Sequence, residues 1–178
     1  MATTKRHDLT TGPVGAHLRR QGMPFGVALV AIFSFDAADL FFISRLGDAP
    51  LAAVSFALPL IWLVYGIGIG FEAGAASCVS RAIGRGDDAR ANRLTTDTIT
   101  LAVASAVLLA MLGLTTIDPV FGLLGATGEL MPLIHDYMET WYWVAPLDMA
   151  LWTALASIRA RGNTLFESKV IIAAALLN

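Results

Sequence analysis

The chain has 178 residues, 56% of them hydrophobic and 15% charged, with a mean hydropathy of +0.67. That is too apolar for a soluble domain and is the composition of a multi-span membrane protein. The net charge of −2 says little, because in membranes the placement of charge matters more than its sum, and a lone Cys78 excludes an internal disulfide framework.

Met1 to Arg20 is a polar leader with Lys5, Arg6, Arg19 and Arg20 and the breakers Gly12, Pro13 and Gly15. It reads as a cytoplasmic tail, since a signal peptide would carry a shorter apolar region and a small-residue cleavage site. The first span runs from Met23 to Arg45, long enough to cross the roughly 30 Å hydrocarbon core. It nevertheless carries Asp36 and Asp39, which share a helix face with Ile32 and Ile43. Burying an acid there costs about 2.5 to 3.5 kcal/mol on insertion scales, so a functional site is the first hypothesis. A cap or a hydrated cavity is the bland alternative.

The second span covers 51–76, with Pro59 inside it and Gly66, Gly68, Gly70 and Gly74 spaced for close helix contact. Glu72 lies about 30 Å from its start and reads as a solvated end. A short connection, SRAIGRGDDARANR, leads to a third span over 94–117. The acidic segment with Asp118, Glu129, Asp136 and Glu139 precedes a fourth span over 134–158, which contains Pro146 and Asp148. Trp141, Tyr142 and Trp143 at its start suit a headgroup boundary. A fifth span begins at Ser168 and, reaching only Asn178, is too short to cross, so the fold expected is an all-α membrane bundle of four complete spans and a truncated fifth.

Eleven of the twelve basic residues fall in the tail and in the second and fourth connections; only Arg45 falls on the other side. The positive-inside rule therefore puts the N-terminus in the cytoplasm and the acidic segment outside. On this topology Asp39 and Asp148 share a depth, about 8 to 10 Å beneath the outer boundary, and could line one cavity. Asn178 would lie near the midplane. A carboxylate among amide and hydroxyl oxygens can hold a proton or a Na⁺, and the residues do not choose between them.

Nothing in the chain suggests an enzyme. His7, His17 and His135 are isolated, and the Gly84 to Gly86 turn lacks the Lys-Ser/Thr end of a phosphate loop. Membrane topology accounts for the basic loop, so no nucleic-acid role is assigned.

Four segments carry a family resemblance: DLFFISRLGDAPLAAVSFALP, GIGIGFEAGAASCVSRAIGRGDDARA, LLGATGELMPLIHDYMETWYWVAP and IRARGNTLFESKVIIAAALLN. In this order and spacing, the chain after residue 22 resembles the N-terminal part of the multidrug and toxic compound extrusion (MATE) transporters. The resemblance implies part of a twelve-helix, two-lobe antiporter of a cell membrane, the bacterial inner membrane. Such a protein exports organic, often cationic, compounds in exchange for Na⁺ or H⁺ and needs no other cofactor. Its partners would be drug-like substrates, the coupling cation, lipid and the remaining helices, with this chain under half of the whole.

By the same resemblance Asp39 matches the acid of the first-helix motif, here DLFFISRLG, and Asn178 the Asn of the fifth-helix motif, both cation-site positions. Asp36 and Asp148 are candidates for a cavity or a secondary cation site. Asp36 and Glu72 stand where small or amide residues are expected, while Arg81 and the Gly84 to Asp87 turn look structural. Two alternatives stay open: a lipid-linked oligosaccharide flippase of the same superfamily, for which a more cationic cavity is expected, and a non-transporting four-helix membrane scaffold. A reading frame continuing past Asn178 into a second six-helix repeat would argue against the scaffold.

Overall fold

The structure is a computed structural model that describes residues 13–126 and 128–177. Five helices follow in order: α1 Val14–Arg45, α2 Asp48–Gly84, α3 Asp88–Leu123, α4 Met131–Ala160 and α5 Thr164–Leu177. No strand occurs among the described residues. Three helices are long and apolar enough to cross a membrane, over Gly22–Arg45, Asp48–Gly84 and Asp88–Leu123. The expected fourth span, α4, has the length at 30 residues, but its Trp, Tyr, Pro and Asp residues dilute its apolar character. Asn178, assigned to the cation site by resemblance, lies outside the described residues, as does the polar leader up to Gly12.

The helices extend past the expected spans. Pro13 occupies the N-cap of α1, where its missing N–H costs nothing, so Val14 to Arg20 is helical and Gly15 does not break it. The sharp ends come from the turns: Gly47, Gly86, Gly125 and Gly162 all have positive φ. At three of them a six-to-one backbone bond closes the helix, from Asp87 N to Ala82 O, Ala126 N to Phe121 O and Asn163 N to Ile158 O. Asp87 then caps α3 by accepting from Arg90 N at 2.9 Å. The two turns that join α2 to α3 and α4 to α5 form a basic end of the bundle. The opposite, acidic end carries the other two.

Helices α2, α3 and α4 pack on one another as a triad. On α3 the buried residues Ala102, Ala106, Ala110, Gly113, Ile117 and Phe121 recur every three or four positions, a seam of small side chains widening toward the acidic end. There Ala53, Ala57 and Ile61 of α2 meet Ile134, Met138 and Tyr142 of α4. Tyr142 enters a hole left by Gly113, where a Cβ would lie 2.1 Å from the ring. The expected aromatic belt is therefore split: Tyr142 is core, Trp141 is half-buried against Tyr65, and only Trp143 faces outward at 72% exposure. The anticipated close contact of the α2 glycines is confined to Gly68, where a Cβ would lie 3.6 Å from Met149 Cε, while Gly66, Gly70 and Gly74 face open space.

Helix α1 stands apart. It packs along α5 and touches α2 lightly, and no Cα of α1 comes within 8 Å of α3 or α4 among the described residues. Its partly buried stripe is Phe25, Ala28, Ile32, Phe35, Asp39 and Ile43, spaced by three and four, with Ala28 fully buried. The bundle is thus a triad and a pair.

Gly113→Ala should lower the thermal midpoint of the purified protein, because overpacking against Tyr142 costs about 1 to 3 kcal/mol. Gly66→Ala, in open space, should leave it unchanged or raise it by up to about 1 kcal/mol equivalent. Equal effects at the two positions would contradict the packing described.

Candidate functional site

The gap between α1 and the triad is lined by ionisable side chains. On α1, Asp39 sits on the partly buried stripe, whereas Asp36, nearly a turn earlier, is exposed beside it. Across the gap Tyr137 of α4 feels the charge of Asp39, and Tyr65 of α2 feels those of Asp36 and Asp148. Asp148, half-buried on α4, accepts a hydrogen bond from Trp152 Nε1 at 3.0 Å. Tyr65 and Trp141 stand edge to face with centroids 6.1 Å apart, and Trp62 continues the aromatic wall.

The charges of Asp36 and Asp148 both reach Tyr65 and that of Asp39 reaches Tyr137, which ties the three acids to the gap between α1 and the triad, but the shared depth expected for Asp39 and Asp148 does not hold. Asp39 is six residues, about 9 Å, from the acidic end of α1, while Asp148 is 17 residues, about 26 Å, into α4. The reason is that α4 begins at Met131, ten residues before Trp141, which is half-buried and marks no boundary. Tyr137 lies level with Asp39, and Tyr65 level with Asp148, also 17 residues from its helix start.

Glu72 is not a solvated end. Helix α2 runs on for twelve residues to Gly84, so this carboxylate is well inside the helix. It meets Arg159 of α4, whose Nη2 lies 3.4 Å from Oε2, and the other guanidinium nitrogen, Nη1, donates to Glu167 of α5. The same guanidinium lies 5.5 Å over the ring of Phe25 on α1. One side chain thereby joins the pair to the triad. Sequence reasoning missed this cluster, because Arg159 had been counted with the topogenic charges. The only signal was an acid twenty residues into an apolar run.

Nearby, Arg161 Nη2 donates to Asn92 Oδ1 at 2.7 Å, fixing the end of α4 to the start of α3. Two surface grooves also lie at the basic end, one over the start of α3 lined by Arg90 and Arg93, the other between α2 and α3 lined by Arg81, Arg85 and Arg90. Neither involves the acids of the crevice. Among the described residues no group of three or more His, Cys, Asp or Glu side chains could hold a metal.

A long-helix bundle with a triad, a loosely joined pair and acids along the gap between them is the architecture of a polytopic membrane protein with a polar interior. Residues 24–178 match the MatE family, and the chain belongs to it. A relative from Shewanella oneidensis named FAD transporter is 37% identical over 97% of this chain and 38% of that protein. The multidrug export protein MepA of Staphylococcus aureus is 23% identical over 93% of the chain and 37% of its own length. Among solved structures, the Vibrio cholerae MATE transporter VcmN in the bent form superposes with a TM-score of 0.87 at 29% identity, over 91% of this chain and 37% of that one. An Asp-to-Asn mutant of VcmN gives 0.88 at 28% identity. The chain thus spans under two fifths of the length of the curated relatives it matches.

Removing the guanidinium strands a buried carboxylate. Arg159→Met should destabilise the protein by about 2 to 3 kcal/mol, the low side for a buried pair because Arg159 keeps 30% exposure. Adding Glu167→Gln should recover part of that loss in thermal melts, and a double mutant as unstable as the sum of the singles would rule out the coupling.

Proposed function

We propose that this chain supplies part of the N-terminal lobe of an antiporter that exports organic, often cationic, compounds in exchange for Na⁺ or H⁺. The observation that carries the reading is the crevice itself, with Asp36 and Asp39 on one wall and Asp148 on the other, in a family whose relatives bear transporter names. An acidic, aromatic-walled gap attracts organic cations and repels anions. Asp39 is the coupling carboxylate: it lies on the packed stripe of α1, where binding a cation changes how α1 sits against its neighbours. Asn178 would add an amide oxygen to that site, and Asp36 and Asp148 are its secondary acids.

The protein lies in the bacterial inner membrane with the basic end in the cytoplasm, supported by the eleven-to-one distribution of basic residues. In a Cys78-free background, Ala89→Cys should react with an impermeant thiol reagent only from the cytoplasm and Glu129→Cys only from outside. The reverse pattern would invert the topology.

The coupling role is read by gradient-driven efflux of a cationic dye from proteoliposomes of the full-length protein, under an imposed Na⁺ or H⁺ gradient. Asp39→Asn keeps the shape of the side chain and removes its charge, so efflux should fall by about tenfold or more while dye binding persists. Asp36→Asn should be milder. Undiminished coupled efflux by a monodisperse Asp39→Asn protein would refute the assignment.

A second reading is favoured by one observation, the 37% identity to a protein named FAD transporter. A flavin ring suits Trp62, Tyr65 and Trp141, whereas a pyrophosphate is repelled by the three acids. Transport of FAD with no transport of the cationic dye would establish it over the first.

A further inference from the structure

At the basic end two carboxylates share one guanidinium. Arg159 contacts Glu72 on one side and Glu167 on the other. Glu167 is 0% exposed, and its Oε2 is buried without a hydrogen-bond partner among the described residues. The charged groups facing the pair, among the described residues, are few. Helix α2 presents Glu72, and α4 presents Arg159 and, farther along, Asp148, whose charge Glu72 feels. Helix α1 presents the ring of Phe25, and α5 turns Lys169 outward.

Two carboxylates against one guanidinium leave one negative charge uncompensated, and a buried uncompensated charge is strongly unfavourable. A hard metal cation would gather several oxygen ligands. Glu167 Oε2 accepts no hydrogen bond, and no cluster of three or more His, Cys, Asp or Glu side chains that could hold a metal exists, among the described residues. A proton needs no ligand shell and removes the charge outright.

We propose that Glu72 and Glu167 form a proton-carrying carboxylate pair around Arg159, a proton site at the opposite end of the crevice from Asp39. One proton and one guanidinium neutralise the two acids. Arg159 and Glu72 keep 30% and 22% exposure, so the proton exchanges with water at the basic end. Loss of the proton places like charges on α2 and α5, which repel and loosen the α1–α5 pair from the triad. This assignment is independent of the role given to Asp39.

The test is infrared difference spectroscopy of the full-length protein in lipid vesicles, titrated with pH without substrate, first in Na⁺-free buffer and then with Na⁺. A protonated-carboxyl stretch should be present at neutral pH and persist in Asp39→Asn. It should disappear in Glu167→Gln and equally in Glu72→Gln, because either substitution leaves one acid matched by Arg159. Either variant suffices if the other fails to fold. In Arg159→Gln the band should roughly double, since both acids then require protons. A wild-type band unaffected by both glutamine substitutions would overturn the proposal. So would a band abolished by Na⁺ at constant pH, which would identify a metal-cation site instead.

Discussion

The guanidinium of Arg159 is the contact on which this arrangement depends. The triad of α2, α3 and α4 holds together through small side chains and the Tyr142–Gly113 fit. The pair of α1 and α5 is joined to it less extensively: α1 meets α2, and α5 meets α4, over far fewer residues than the triad helices share with one another. Arg159 is the point at which α4 reaches α2, α5 and α1 at once, through Glu72, Glu167 and Phe25. An apolar side chain there could pack but could not orient three partners, since only a charged fork sets direction as well as distance. Packing of lipid-facing surfaces supplies little drive for helices to associate, which leaves polar contacts of this kind a large share of the specificity.

The consequence for function is a gap between α1 and the triad that Arg159 bridges at one end. Acids in an apolar bundle are tolerable where they meet water or polar groups instead of hydrocarbon, and the charges of Asp36, Asp39 and Asp148 reach the hydroxyls of Tyr65 and Tyr137. With Tyr137 and Tyr65 on the triad side of the gap, and Glu72 and Glu167 at the basic end, ionisable groups follow one another along most of the bundle's depth. A string of this kind lets charge enter a membrane protein without any single step into bare lipid. Neutralising any one of these acids weakens the repulsion between the pair and the triad.

Much of the fold was legible because hydrocarbon imposes a simple rule. The apolar runs, the short polar connections and the one-sided basic residues follow from bilayer thickness and charge alone, and the helix count came from them. Helix ends were less so, since α2 runs to Gly84 and α4 starts at Met131, lengths governed by turn glycines and caps instead of hydropathy. Asp39 could be singled out as an acid on a helix face, but its level relative to Asp148 depended on where α4 begins. The Tyr142–Gly113 fit and the Arg159 cluster were invisible for a different reason. Each joins residues distant in sequence, and nothing local distinguishes an arginine that orients topology from one that ties four helices.

The most direct test of this account is the distance between α2 and α5 at the basic end, measured by pulsed electron paramagnetic resonance. Spin labels are placed at the exposed Ser80 and Lys169 of a Cys78-free full-length protein in lipid. If Arg159 holds the pair against the triad, the wild type should give one narrow distribution, and Arg159→Met should shift it longer and broaden it while the helical content stays the same. An unchanged distribution in a folded Arg159→Met protein would contradict the account, because the pair would then be held by contacts that the guanidinium does not supply.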